Sequence, residues 1–133
     1  MMANPLLSLS RLGQSIWLDY IDRQILLDDT LKGLIEKDRL AGLTSNPAIF
    51  EKAISQGGAY TESITRLKAS GATVEDMYEQ LVLSDIALAA DTFRTVYDAS
   101  EGRDGYVSIE VSPLLAQDTE STLVEARKLW QRL

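Results

Sequence analysis

The chain has 133 residues, with 13 Lys and Arg against 20 Asp and Glu, and a net charge of −7. That charge, without any basic cluster, argues against a nucleic-acid surface, and no apolar run approaches the ~18 residues of a membrane span. The absence of Cys and His excludes disulfides, thiolate chemistry and His- or Cys-based zinc sites, so proton transfer falls to carboxylates, tyrosine, lysine or water.

Met1 to Arg11 reads as a short lead-in with a weak helical pattern. It lacks the basic and long apolar regions of a secretory signal, so with no cysteine the expected location is cytoplasmic. The first strand is predicted over Gln14 to Ile21, with Trp17, Asp19 and Ile21 on one face by the period of two. Asp22 to Asp29 has no clear pattern. Thr30 to Arg39 reads as a helix, with Asp28, Asp29 or Thr30 as its cap and Leu31, Leu34 and Ile35 on one stripe. Ala41 to Thr44 is a short strand. Ser45 or Asn46 caps the next helix, Pro47 fits its first position, and Gly57-Gly58 stops it.

A further helix covers Ala59 to Ala69. Thr73 opens the longest one, with Asp76 at the capping-box position. Its stripe is Val74, Met77, Tyr78, Leu81, Val82, Ala89, Phe93 and Val96. Asp85 falls near this stripe and reads as a boundary residue or a structural hydrogen-bond acceptor. The helix ends near Ser100. A third strand is predicted over Tyr106 to Val111, and Asp118 or Thr119 caps a last helix bearing Leu123, Val124, Ala126, Leu129 and Trp130. Strands separated by helices imply parallel pairing with right-handed crossovers.

Each predicted strand carries polar groups near its C-terminal end: Asp19 on the first, Thr44 and Asn46 after the second, Glu110 on the third. This is the layout of a (β/α) barrel active site. Asp19 reads either as a cap for a neighbouring amide or as a general acid/base tuned by apolar neighbours. Glu110 shares a face with Ser108 and Ser112, while Val107, Ile109 and Val111 take the other. A lone Glu in a strand centre requires a partner, and two carboxylates on parallel strand ends can divide acid and base roles. Thr44 and Asn46 are further polar candidates, although Thr-Ser-Asn-Pro is also a good helix cap. The lysines, Lys32, Lys37, Lys52, Lys68 and Lys128, all fall on helices or their ends. None lies in an apolar strand, where desolvation makes an amine nucleophilic.

Three segments together resemble transaldolase: Trp17-Leu18-Asp19-Tyr20, Gly42 to Phe50 (GLTSNPAIF) and Val107 to Pro113 (VSIEVSP). The resemblance extends through Gln117-Asp118-Thr119 and Glu125-Ala126-Arg127 over essentially the whole chain. The form of the third segment and the longer helices look like the bacterial branch sometimes fused to glucose-6-phosphate isomerase. The resemblance implies a (β/α)8 barrel that moves a dihydroxyacetone unit between sugar phosphates of the pentose phosphate pathway through a lysine Schiff base. Asp19 and Glu110 would then be catalytic, Thr44 and Asn46 substrate-binding, and no metal or other cofactor would be needed.

The expected fold class is therefore α/β, a partial barrel of three strands with high helix content, residues 1–133 forming its N-terminal segment. The Schiff-base lysine is expected on a fourth strand beyond these residues, leaving this segment inactive alone. Unpaired strand edges then favour a homo-oligomer with exchanged strands or helices, and the Ala41 to Thr44 strand is expected to rearrange most easily. Two other classes stay open. One is a non-catalytic oligomerising fragment or structural module derived from such a barrel. The other is an isomerase or lyase using the two carboxylates alone, which is disfavoured because no phosphate or metal site is evident.

Overall fold

The computed structural model describes residues 4–133, so the first three residues of the lead-in lie outside the described residues. Helix α1 spans Pro5–Arg11. Asn4 starts it by accepting the Leu6 amide at 3.0 Å, with Pro5 at the first position, where no amide hydrogen is needed. The Asn4 side-chain amide also reaches Asp38 at 2.5 Å, at the far end of α3 (Thr30–Asp38).

Three strands, β1 (Ile16–Asp19), β2 (Leu40–Thr44) and β3 (Tyr106–Val107), form one parallel sheet in the order β1-β2-β3. The helices between them are α2 (Arg23–Leu27), α3, α4 (Pro47–Gln56), α5 (Thr61–Ala69) and α6 (Val74–Ala99). A final helix, α7, covers Thr119–Arg132. The architecture is thus mixed α/β with a parallel sheet, as the strand–helix alternation requires. Among the described residues, no helix is long and apolar enough to cross a membrane.

The core lies between the sheet and helices α3, α4 and α6. It is built from Ile21, Leu31, Leu40, Leu43, Phe50, Val82, Ile86, Ala89 and Phe93. Burying side chains of this size contributes about 1.5–3 kcal/mol each before entropy is counted. The spacing of Val82, Ile86, Ala89 and Phe93 keeps one face of α6 on the sheet. The predicted stripe was partly misplaced. Val74 is 71% exposed, Tyr78 is also exposed, and Ile86 takes a core position that the stripe omitted.

Several expectations need correction. The strand predicted over Gln14 to Ile21 is only four residues long. Ile16 and Leu18 pack towards the core, and Trp17 and Asp19 share the opposite, open face. Ile21 does not join them: it follows the end of the ladder and turns into the core, fully buried. The patternless stretch after it forms α2, capped by Asp22, which accepts the Ile25 amide at 2.9 Å. β2 is the central strand, with Leu40, Ala41, Gly42 and Leu43 all buried.

β3 is shorter than Tyr106 to Val111. It is fixed by Gly105, whose amide donates to Ala41 O at 2.7 Å, and by the Ser108 amide, which donates to Leu43 O at 2.9 Å. Gly105 has φ +89°, and a Cβ there would overlap the Tyr97 backbone, so the turn into β3 requires glycine. In α7 only Leu129 is buried. Leu123, Val124 and Trp130 remain exposed, against the stripe expected from their spacing.

Candidate active site

Asp19 closes β1 and Thr44 closes β2, and the parallel register sets them side by side. Thr44 Oγ1 donates to Asp19 Oδ1 at 2.7 Å. Both belong to the sheet face turned away from the helices, since residues alternate along a strand. One layer towards the strand N-termini, the Trp17 indole lies directly over Gly42. A Cβ at that glycine would stand 2.6 Å from Trp17 Cδ2 and 2.7 Å from Cζ2. The missing side chain of Gly42 is what lets the ring lie flat on the sheet beneath Asp19.

The chain after β2 divides two tasks between adjacent residues. Ser45 is buried, and its Oγ donates to Ser108 O at 2.7 Å. This bond holds the segment leading to Glu110 against the end of β2 after the backbone ladder has stopped. Asn46 caps α4, its Oδ1 accepting the Ile49 amide at 2.9 Å, with Pro47 at the first helical position. Either residue fitted the cap by sequence, and the structure assigns it to Asn46.

Glu110 lies beyond the β3 ladder and is exposed, so the requirement that a strand-centre Glu find a buried partner does not apply. With Asn46 it lines an open cleft of about 780 Å³, whose walls include Phe50, Val82, Ile109 and Lys128. Asp19 and Thr44 do not line that cleft. The structure therefore joins Asp19 directly to Thr44, and sets Asn46 and Glu110 on the lining of one cleft. No hydrogen bond joins the two carboxylates among the described residues.

Of the lysines, Lys128 alone lines the cleft of Asn46 and Glu110 among the described residues. Lys32, Lys37, Lys52 and Lys68 are exposed on helices. Lys128 pairs with Glu79 at 3.0 Å and Glu125 at 3.8 Å. The hydrogen bond to Glu79 raises its pKa, which keeps the amine protonated. Among the described residues no group of three or more acidic side chains is placed to hold a metal ion.

A buried polar cluster lies at the start of α2, around Arg23. Arg23 Nε donates to Asp85 Oδ1 at 2.8 Å, and its Nη1 donates to Ser63 Oγ at 2.8 Å. Tyr60 OH donates to Asp85 Oδ2 at 2.8 Å and accepts the Arg23 backbone amide at 2.9 Å. The guanidinium also stacks over the Tyr60 ring, 4.6 Å from its centre. Burial, then the neighbouring Asp85, pushes the Tyr60 phenol well up, so it keeps the proton it donates. Burial pushes the Asp85 carboxyl up as well, opposed by the hydrogen bonds from Tyr60 and Arg23. Asp85 is thus the structural acceptor its sequence position suggested. Arg23 and Tyr60 escaped the sequence reading, although a carboxylate on an apolar stripe does imply a buried donor.

A family model described as Transaldolase/Fructose-6-phosphate aldolase matches residues 16–133. The chain belongs to this family. It is 46% identical over 133 residues to "Transaldolase 2" of Nostoc punctiforme, covering 100% of this chain and 35% of that protein. It is 50% identical over 127 residues to "Transaldolase" of Trichodesmium erythraeum, covering 95% of this chain and 33% of that protein. With "Transaldolase" of Thiobacillus denitrificans the identity is 47% over 121 residues, 91% of this chain and 34% of the relative. The chain therefore spans about a third of the length of these transaldolases. The three segments that carried the resemblance all lie within the residues matched to the family.

Proposed function

We propose that this chain supplies the acid–base and hydroxyl-contacting part of a transaldolase active site. In this reading its three parallel strands are the first three of a (β/α)8 barrel. The reaction is transfer of a dihydroxyacetone unit between sugar phosphates in the cytoplasmic pentose phosphate pathway. Asp19 moves protons at the substrate, Glu110 acts through a water in forming and hydrolysing the Schiff base, and Thr44 and Asn46 contact substrate hydroxyls.

The observation that carries the proposal is the Thr44–Asp19 pair at adjacent strand ends, joined at 2.7 Å. Thr44 gives the carboxylate one fixed hydrogen bond and leaves its other oxygen towards the open face. Covalent catalysis by an amine needs a desolvated, unprotonated lysine. Exposed helix lysines and a Lys128 tied to Glu79 do not meet that condition. The Schiff-base lysine is therefore assigned to chain outside these 133 residues. Among the described residues one edge each of β1 and β3 is unpaired, which favours association of copies when this chain is alone.

Borohydride trapping with fructose 6-phosphate should leave the mass of this chain unchanged and label a lysine in the complete enzyme. In the complete enzyme Asp19→Asn or Glu110→Gln should lower kcat by about 10²–10⁴-fold. Near-normal turnover in either variant would remove that residue from the mechanism.

A further inference from the structure

We propose that Arg23, Tyr60 and Asp85 are positioning residues for Asp19, a buried brace that fixes the turn leaving β1 from behind. The inference rests on the reading of Asp19 as the acid/base. It adds three residues that touch neither the open face nor the reacting atoms.

The argument starts from the shortness of the turn. Three residues, Tyr20, Ile21 and Asp22, separate the end of β1 from the start of α2. Each is held. Tyr20 OH donates to Asp22, Asp22 caps α2 through the Ile25 amide, and Ile21 is fully buried in the core. The next residue, Arg23, is anchored twice. Its backbone amide donates to Tyr60 OH, and its side chain is locked onto Asp85 and Ser63. Asp85 sits in the middle of α6, and Tyr60 lies in the turn before α5, so the anchor is built from elements far along the chain.

A short loop pinned at its far end has little freedom at its near end. Asp19 is the last residue of a four-residue strand, and beyond it the ladder offers no further restraint. Its carboxylate is exposed, with Thr44 Oγ1 supplying one hydrogen bond from the neighbouring strand. Its place therefore depends on the backbone that follows. Misplacement by about 1 Å can cost an enzyme some 10²-fold in rate. Tyr60 is central because its single hydroxyl joins the loop amide at Arg23 to the carboxylate on α6.

The test is Tyr60→Phe in the complete enzyme, which keeps the ring under Arg23 and removes only the hydroxyl. Removing Arg23 or Asp85 instead leaves an unpaired buried charge and risks loss of fold. The control is Leu40→Ala, a buried residue at the N-terminal end of β2 and outside the cleft of Asn46 and Glu110, chosen to lower stability away from the brace. Tyr60→Phe should reduce kcat about 10-fold with KM within twofold, and should speed hydrogen exchange at the Ile21 to Arg23 amides. Leu40→Ala should change neither at temperatures below its unfolding. Unchanged kcat and unchanged exchange in Tyr60→Phe overturn the proposal, as does an equal loss of kcat in the control. If Asp19→Asn itself retains full kcat, the acid/base reading fails. The exchange measurement then still decides whether the brace orders this loop.

Discussion

Replacing Gly42 with alanine should expose how tightly the open face of the sheet is packed. The new methyl would sit nearest Trp17 Cε2, and 2.6–2.7 Å from Cδ2 and Cζ2. That is roughly 1 Å short of an ordinary carbon–carbon contact. The indole is rigid and must tilt as a unit away from β2, which its 39% exposure permits. Overpacking of this kind typically costs about 1–3 kcal/mol. Alanine returns about 0.4–1 kcal/mol by restricting the unfolded chain. The net loss should be roughly 1–2 kcal/mol, or about 3–10 °C in melting temperature for a chain of this size. Gly33, within α3 and with no atom near its added methyl, is the matched comparison. Gly33→Ala should stabilise by about 0.5–1 kcal/mol. Urea unfolding followed by circular dichroism gives both free energies, and the emission of Trp17 reports the tilt. A Gly42→Ala chain as stable as the parent, with unchanged emission, would refute the packing of Trp17 on Gly42.

Asn46 can be divided into its two roles. Asn46→Ala should lose about 1 kcal/mol with the α4 cap, whereas Asn46→Asp should keep the cap and the stability. In the complete enzyme both should raise KM, and a normal KM in Asn46→Asp would remove the side-chain amide from substrate contact. Glu79 should make the docking of α7 acid-sensitive. Its hydrogen bonds with Lys128 and Arg132 hold its carboxyl below the ordinary value of 4.5. Its contribution is present above that unfolded value and is lost as pH falls through the lower folded value. The protection factors of α7 amides, corrected for intrinsic exchange, should therefore fall at acid pH ahead of those of α6, and α7 protection unchanged by acidification would contradict it. Thr44→Ser retains the hydroxyl facing Asp19 and should retain most of the turnover of the complete enzyme; Thr44→Val should not.

Helices announced by caps were legible in the sequence. Asn46-Pro47, Thr73 with Asp76, and Asp118 each mark a start that the structure keeps, because a capping side chain needs only its own next few residues. Strand length was less legible. Whether Ser108 to Val111 continues the ladder depends on where β2 ends, and that ends at Thr44. The positions of Asp19, Thr44 and Asn46 followed from strand ends alone. Pairing Arg23 with Asp85 did not, since they are separated by 62 residues and α2 lacked any periodic signal. The apolar face of α7 was misjudged because periodicity shows that a stripe exists, not that a neighbour covers it.

The hydrogen bonds already made by Asn46 and Thr44 give the open site a built-in direction. The Ile49 amide takes one lone pair of the Asn46 carbonyl oxygen, so the NH₂ group is the larger part of what Asn46 offers a visitor. The Thr44 hydroxyl proton is committed to Asp19, which leaves only an oxygen lone pair. Thr44 can therefore only receive a hydrogen bond from a ligand, whereas Asn46 keeps two N–H donors and one remaining acceptor position. A group that meets Thr44 must therefore bring its own hydrogen, while one that meets the Asn46 amide nitrogen must bring a lone pair, so the two side chains sort visitors by what they carry.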